Sequence, residues 1–276
     1  MTQPAKPTFY LSILVLTEDS ASDAFATVKL LVKQLLQIVD PKIAVQHIDF
    51  EPATDEHGRR ACIANIWKSK SLADQRSKIA LIREIAGKLL EPNGFVFFHF
   101  DGDTVWAKRD SCETADQFHE IVEEGVRDTL RMRLSRPRYS DPAATTYSEA
   151  EVTQIIGQAM PRLIRIVPHY SIEAWCLQNT SKARELCAQH HRGLHVKDFE
   201  EWEADRGILD EIEAPKERCC LRSDHNRVLA DKGFPKNEAF KAGKSFASVA
   251  LTMCQCEALT VALEMTYAWS KPGPVG

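Results

Sequence analysis

The chain has 276 residues, of which 44% are hydrophobic, and it carries a formal net charge of −4. This length and composition are those of a protein that folds as one large domain or as two modest ones. The mildly acidic balance excludes a general basic field, so any binding of nucleic acid would require a local basic patch.

The N-terminal residues and the cysteines together predict the compartment. Residues 1–8 are mostly polar, and the apolar run that follows is too short to cross a membrane and carries no secretory cleavage pattern. The eight cysteines are scattered and form no Cys-x-x-Cys pair, which favours reduced thiols. We therefore expect a cytoplasmic protein that makes no contact with a membrane.

Four apolar runs predict β-strands that are buried on both faces. These runs are residues 9–16, 43–50, 95–100 and 162–167. The third run, Phe95-Val96-Phe97-Phe98-His99-Phe100, is almost unbroken and ends abruptly in Asp101-Gly102-Asp103. A strand of this kind delivers carboxylates to its carboxyl end.

Helices are predicted between the strands, where apolar residues recur at helical spacing behind capping signatures that begin at Ser20, Ser71 and Ser148. A long helix is expected from Glu113 to Leu134. Two further predictions complete the pattern: a polar loop from Pro52 to Arg60 and a last helix from Phe246 to Trp269.

The alternation of strand and helix predicts an α/β fold with a parallel sheet of about four strands flanked by helices, because parallel neighbours need a crossover connection. This unit is predicted to span residues 8–178. Residues 179–276 lack the alternation, and we expect them to form a mainly helical C-terminal extension packed on the sheet domain.

Acidic residues follow all four predicted strands, and Glu51 after the second strand is read as a solvated turn residue. The candidate site residues follow the other three strands. Glu18 follows the first strand, Asp101 and Asp103 follow the third, and Glu173 lies just beyond the fourth. The carboxyl ends of parallel strands share one edge of the sheet, where open α/β sheets bind ligands. If the first and third strands are neighbours, these carboxylates converge, and a cation is needed to keep them ionised. Their oxygen atoms suit Mg²⁺ or Mn²⁺, which favours metal-assisted phosphoryl transfer or phosphodiester hydrolysis.

The order of these residues resembles the TOPRIM domain of topoisomerases, primases and OLD-type nucleases. The resemblance rests on a strand followed by Glu18, a capped helix with Asp23, and a later strand that ends in Asp101-Gly102-Asp103. It covers about residues 9–104 and, more loosely, residues 162–177. The segment Pro168-His169-Tyr170-Ser171-Ile172-Glu173-Ala174-Trp175 resembles the stretch after the fourth strand in compact stand-alone TOPRIM proteins, many of them from bacterial defence loci.

The resemblance implies a TOPRIM-like, Mg²⁺-dependent (or Mn²⁺-dependent) nuclease that hydrolyses phosphodiester bonds of DNA or RNA. Glu18, Asp101 and Asp103 would be catalytic and would hold the metal, and Glu173 would complete the metal shell. The implied partners are a nucleic-acid substrate and, in an antiviral defence complex, an ATPase partner protein or a second copy of the chain. The sequence departs from the family at Asp19, where glycine is usual.

Five arginines gather at the far end of the helix predicted from Glu113: Arg127, Arg131, Arg133, Arg136 and Arg138. Guanidinium groups near an anionic site can hold a phosphate backbone, which makes these residues candidates for binding nucleic acid. The alternative is a solvated helix end, where the helix dipole favours positive charge.

Two other functions remain open. The run Asp101-Gly102-Asp103-Thr104-Val105 also fits the opening motif of haloacid dehalogenase-like phosphatases, in which the first aspartate is the nucleophile and the second is a general acid. That family normally begins with this strand, whereas here two strand units precede it. A non-catalytic regulatory subunit could use the same acidic crevice to hold a divalent ion.

Overall fold

The computed structural model describes residues 11–18, 23–43, 45–103, 112–135, 147–191, 196–213, 215, 221–231 and 233–270. Four strands in these ranges form one sheet, in which every pair of neighbours is parallel. The strands are β1 (Leu11–Thr17), β2 (Ile48–Glu51), β3 (Gly94–His99) and β4 (Leu163–Ile166), in the order β2-β1-β3-β4. The predicted α/β fold with a parallel four-stranded sheet is thereby confirmed.

The carboxyl ends of the four strands lie along one edge of the sheet, which is called the carboxyl edge below. The position of β1 inside the sheet determines which residues are neighbours at this edge. β1 pairs with β2 on one side and with β3 on the other, and in the second pair Thr17 lies opposite His99. Because both strands run in the same direction, the chain leaves them at the same edge, towards Glu18 and Asp101. The first and third strands are therefore neighbours, as the predicted carboxylate cluster requires.

Helices flank the sheet and follow its last strand. In the described ranges they are α1 (Ala24–Val39), α2 (Glu56–Ile63), α3 (Gln75–Leu89), α4 (Glu113–Gln117), α5 (Glu124–Ser135), α6 (Glu149–Ala159), α7 (Ile172–Cys176), α8 (Thr180–His191), α9 (Val196–Ala204), α10 (Asn226–Ala230), α11 (Lys236–Ala242), α12 (Lys244–Gln255) and α13 (Glu257–Ser270). A π-helical segment, Phe118–Glu123, joins α4 to α5 and so completes the long predicted helix. The capping box predicted at Ser148 is also present.

Three local predictions are wrong. Residues 56–63 form α2 where a polar loop was expected, because the Asp55 side chain accepts a hydrogen bond from the Gly58 N–H and caps the helix. The second strand begins only at Ile48, since residues 45–47 form a 3-10 turn. The last predicted helix is two helices, α12 and α13, because the backbone of Cys256 is extended between them (φ −78°, ψ 94°).

Both faces of the sheet are buried, because side chains alternate along each strand. Ile13 and Phe97 belong to the hydrophobic core that the sheet forms with α1 and the C-terminal helices. Leu14 and Phe98 belong to a second core, formed with α3, α5 and α6. Two-sided burial explains why these strands are nearly continuous apolar runs.

The chain beyond residue 179 shares its core with the sheet. Phe246 and Leu263 lie in the same buried cluster as the β1 and β3 side chains of that face. Buried polar contacts reinforce the packing: Trp175 Nε1 donates to Ser245 Oγ at 2.6 Å, and the Ser245 N–H donates to Asp210 Oδ2 at 3.1 Å. The boundary predicted at residue 178 therefore lies within one continuous core.

Among the helices of the described residues, one bent pair meets the length and composition of a membrane span. Across the described ranges, no single helix is both long and apolar enough to cross a membrane. α12 and residues 257–266 of α13 meet the length and composition criteria only when taken together, and they are bent by 77°.

Candidate active site

Glu18 and Asp101 are in contact at the carboxyl edge of the sheet, where β1 and β3 end. Glu18 directly follows β1, and the backbone N–H of Asp101 donates to Glu18 Oε1 at 2.6 Å. The backbone N–H of Glu18 in turn donates to the His99 carbonyl at 3.2 Å, which extends the ladder between β1 and β3 by one residue. The Glu18 side chain is only 9% exposed. Pairing of the two strands thus holds a carboxylate largely away from water.

The Asp101 carboxylate is oriented by two groups. Its Oδ1 accepts the backbone N–H of Ile172 at 3.0 Å and lies 3.3 Å from His99 Nε2. The other ring nitrogen of His99 lies 3.0 Å from Thr17 Oγ1, and the imidazole is buried. Asp101 is thereby fixed to the ends of β1 and β3 and to the start of α7.

The loop that carries Asp103 is clamped to the segment before α7. The backbone N–H groups of Gly102 and Asp103 donate to the carbonyls of Pro168 at 3.1 Å and Tyr170 at 3.3 Å. A Cβ atom on Gly102 would lie 2.5 Å from the His169 carbonyl oxygen, so this approach requires glycine. Asp103 is exposed and has φ +50°, a left-handed conformation that Asp and Asn tolerate better than most residues.

Burial and neighbouring negative charge raise the pKa values of two of these acids, Glu18 and Asp103. Burial raises the pKa of the Glu18 carboxyl above its ordinary value, and the opposing hydrogen bond from Asp101 and charges of Lys68 and His99 do not cancel that effect. Although Asp103 as a whole is exposed, its carboxyl is partly desolvated by the surrounding protein; this effect, followed by the neighbouring Asp101 carboxylate, raises the pKa of Asp103, while Lys68 acts in the opposite direction. Both shifts are in the direction expected when burial disfavours the charged form of a carboxyl and nearby positive charge does not fully offset it.

Lys68 is a member of the site that sequence reasoning missed. It ends a 3-10 turn, Ile66–Lys68, that follows α2. Its Nζ lies 3.3 Å from Glu18 Oε2. That oxygen is buried and accepts no hydrogen bond from the described residues, so the contact is a charge pairing without hydrogen-bond geometry. The one sequence signal was the adjacent Trp67, a large aromatic residue at the end of a mostly apolar run, residues 61–67.

Two residues beyond position 179, Asn226 and Glu213, contact residues that follow β4. Glu173 Oε1 accepts a hydrogen bond of 3.1 Å from the side-chain amide of Asn226, which is buried. Burial, a hydrogen bond with Glu213 and the charges of Glu213 and Asp103 together raise the pKa of the Tyr170 phenol. The structure therefore joins Glu18 to Asp101, places Asp103 within electrostatic range of Asp101, and ties Glu173 to the C-terminal part of the chain.

A cleft of about 670 Å³ opens along β4 and meets the acidic loop at Gly102. Gly102 and His169 line it, together with Arg165 and Glu123, whose Nε and Oε1 atoms are 3.6 Å apart. Pockets of this size hold small ligands in other proteins. The cleft therefore offers room for a small ligand beside Gly102, although Glu18, Asp101 and Asp103 are not among its described lining residues.

Three of the predicted arginines, Arg127, Arg131 and Arg133, lie away from the acids. Cys112 Sγ contacts the Gly102 carbonyl oxygen at 3.4 Å, so α4 begins near the carboxyl edge. With a rise of 1.5 Å per residue, Arg127 and Arg133 lie about 20–30 Å further along the helix. Arg127, Arg131 and Arg133 therefore do not line the acidic site, and the binding of nucleic acid by the arginines stays a prediction.

The guanidinium groups of this helix have partners on the protein itself. These partners are Glu124 for Arg127 at 3.3 Å, Asp128 for Arg131 at 3.5 Å and the Arg83 carbonyl for Arg133 at 3.0 Å. Arg136 and Arg138 lie outside the described residues.

Within the described ranges, no group of three or more His, Cys, Asp or Glu side chains is arranged to hold a metal ion. No family model, curated protein or solved structure matches the chain. The fold and the site thus define an α/β protein with a four-stranded parallel sheet, at whose carboxyl edge Glu18 and Asp101 meet beside a lysine.

Proposed function

We propose that this protein is a Mg²⁺-dependent, TOPRIM-like nuclease that hydrolyses phosphodiester bonds of DNA or RNA, with Mn²⁺ as an alternative ion. The observation that carries the proposal is the hydrogen bond between the Asp101 backbone and Glu18, because it joins acids from neighbouring parallel strands. The order of the strands supports the TOPRIM-like assignment, since it brings the glutamate next to the Asp101-Gly102-Asp103 motif.

The donor atoms of the site suit a hard divalent cation. Glu18, Asp101 and Asp103 supply only oxygen ligands, and Mg²⁺ is usually bound through one or two carboxylates, with water and phosphate oxygens in its other positions. A cation would also compensate the buried Glu18 Oε2. We therefore assign these three residues as the ones that would hold the ion. When bound, such an ion stabilises the charge that develops on phosphodiester oxygens.

Glu18 is also the candidate general base. Burial raises the pKa of its carboxyl, and a carboxylate with a raised pKa accepts a proton more readily near neutral pH. His99 is a positioning residue, because its imidazole lies between Thr17 Oγ1 and the Asp101 carboxylate. Glu173 is not assigned to the metal, since its carboxylate is bonded to Asn226.

The TOPRIM resemblance extends the proposal to partners and setting. Because stand-alone TOPRIM proteins are found in bacterial defence loci, we propose a role as nuclease in an antiviral complex, with an ATPase partner protein or a second copy of the chain. The eight cysteines are scattered along the chain and form no Cys-x-x-Cys pair. Reduced thiols, which this pattern favours, are in keeping with the reducing cytoplasm.

A haloacid dehalogenase-like phosphatase has less support. Its reaction would need one Asp101 oxygen for attack on phosphorus and another for the metal, whereas Oδ1 already contacts the Ile172 N–H and His99. A regulatory subunit would hold a divalent ion at the same site but would not cleave nucleic acid.

The proposal is tested by incubating the protein with labelled single-stranded and duplex DNA and with RNA, in Mg²⁺ or Mn²⁺ and in a chelator. We expect metal-dependent cleavage of at least one substrate, no release of phosphate from p-nitrophenyl phosphate, and loss of cleavage in Asp103→Asn. Asn tolerates the left-handed backbone at this position, so the variant removes charge with little strain. Phosphatase activity without nuclease activity, or full cleavage by the variant, would contradict the proposal.

A further inference from the structure

Lys68 is the cation nearest to the proposed metal ligands in the described part of the chain. Its Nζ lies 3.3 Å from Glu18 Oε2, and its charge also acts on Asp103. The side chain is only 20% exposed. The ammonium group thus supplies positive charge to the same carboxylates that would hold the divalent ion.

The fold fixes the position of Lys68. The preceding residue, Trp67, is fully buried, and its ring centroid lies 5.9 Å from that of Phe98, 5.7 Å from that of Phe100 and 5.7 Å from that of Phe118. Phe98 and Phe100 belong to the chain segment that leads into Asp101. The turn that carries Lys68 is therefore anchored to the segment that carries the acids.

The Lys68 side chain also packs on this anchor, because its Nζ lies 5.1 Å from the centroid of the Trp67 ring. A cation over the face of a tryptophan is held by the ring quadrupole. The long lysine stem can nevertheless rotate its charge towards solvent without moving the buried turn, since Lys has a flexible four-carbon chain.

We propose that Lys68 is an internal counter-ion that competes with the divalent cation for Glu18 and Asp103, and that it thereby sets the metal affinity of the site. This inference rests on the proposed metal site. With no ion bound, the ammonium offsets the carboxylate charge. An ion that binds to the same oxygens must displace it, because two cations at contact distance repel each other. The lysine therefore weakens metal binding and confines it to high concentrations of the ion.

The test compares the binding of Mn²⁺ to purified full-length variants by isothermal titration calorimetry at pH 8. Lys68→Met removes the charge and keeps the apolar stem against Trp67, whereas Lys68→Arg keeps the charge. Lys70→Met removes a neighbouring exposed lysine and is the matched control. Urea unfolding of each variant establishes that it is folded.

We expect Lys68→Met to bind Mn²⁺ at least about fivefold more tightly than the unmodified protein, because a repelling unit charge has been removed from contact distance. Lys68→Arg and Lys70→Met should bind within about twofold of the unmodified protein, since neither changes the charge next to Glu18. A residue with a merely structural role would loosen the site and weaken binding.

Equal or weaker binding by Lys68→Met, with clear binding by the unmodified protein, would overturn the counter-ion role and leave the nuclease proposal intact. Tighter binding by Lys68→Met without cleavage of any nucleic acid would support the counter-ion role and contradict the nuclease proposal. Absence of Mn²⁺ binding in every variant would overturn both.

Discussion

The backbone N–H of Asp101 donates a 2.6 Å hydrogen bond to the Glu18 side chain, across 83 residues of sequence. This bond exists because β1 and β3 are parallel neighbours and end in register. It also places a mostly buried carboxylate at the edge of the sheet, so the charge of the site and the stability of the fold are linked.

Replacement of Glu18 by Gln should stabilise the metal-free protein at neutral pH. Gln can still accept the hydrogen bond from Asp101, but it carries no charge to be buried. Because burial raises the pKa of Glu18, the ionised form costs stability once the pH rises through the native pKa, and this cost is absent below the ordinary value of 4.5. The expected gain at pH 8 is on the order of 1 kcal/mol.

Urea unfolding of both proteins between pH 4 and pH 8 measures this effect. The difference should grow with pH, and saturating Mn²⁺ should reverse it by stabilising only the unmodified protein. If the Glu18→Gln protein were less stable at pH 8 than the unmodified protein, burial of the Glu18 charge would not cost stability, and the account would be contradicted.

Replacement of Gly102 by Ala should damage both stability and metal binding. The new methyl group would meet the carbonyl oxygens of His169 and Pro168 at 2.5 Å and 2.9 Å, so the Asp101–Asp103 loop must shift. The expected cost is about 3 kcal/mol. Gly157→Ala is the matched control, because nothing lies within 4 Å of a Cβ atom there and α6 should gain roughly 0.5–1 kcal/mol. Chemical denaturation measures the change in the free energy of unfolding for both variants. If Gly102→Ala left this free energy unchanged, the loop would not be tightly clamped.

Lys88 should be a main electrostatic contributor to stability far from the proposed site. Its Nζ is buried and contacts Ser12 Oγ at 2.6 Å, Glu51 Oε1 at 3.0 Å and Glu91 Oε2 at 2.8 Å. Replacement by Met should cost about 2 kcal/mol, since both acids are partly exposed and the interaction is screened. Lys42→Met, at an exposed position, should have little effect.

The contribution of Lys88 should also depend on pH. Burial acts to raise the pKa of Glu51, but hydrogen bonds from Ser12 and Lys88 outweigh that effect. They lower the pKa below its ordinary value of 4.5. Stability from this contact is therefore present above pH 4.5 and is lost as the pH falls through the native pKa. The difference between the Lys88→Met and unmodified proteins should shrink in acid, as followed by urea denaturation from pH 7 to pH 3. A constant difference would exclude Glu51 as the source.

Glu173 should contribute to the fold and not to metal binding. Glu173→Ala leaves the buried Asn226 amide without its carboxylate partner, which should cost about 1–2 kcal/mol. Glu173→Gln keeps an acceptor and should preserve most of the stability. Calorimetry should give Mn²⁺ affinities within about twofold of the unmodified protein for both variants. A tenfold loss of affinity in Glu173→Gln would instead return this residue to the metal shell.

The sheet and its acids were predictable because their signals are local. Apolar runs such as Phe95 to Phe100 identify buried strands, and the acids that follow them mark the carboxyl edge. Lys68 and Asn226 were not predictable, because each reaches the site through tertiary packing: Lys68 through the burial of Trp67, and Asn226 through the C-terminal core. α2 was missed because its apolar side chains, Ala61, Cys62 and Ile63, all lie in its last turn, after a polar and charged first half.

The most direct test of the central claim is a crystal structure of the protein soaked in Mn²⁺, with anomalous difference maps to locate the ion. The account predicts a peak in contact with oxygen atoms of Glu18 and of Asp101 or Asp103, with the Lys68 ammonium moved away from Glu18 Oε2. A map without a peak at this edge, and with Lys68 still paired to Glu18, would contradict it.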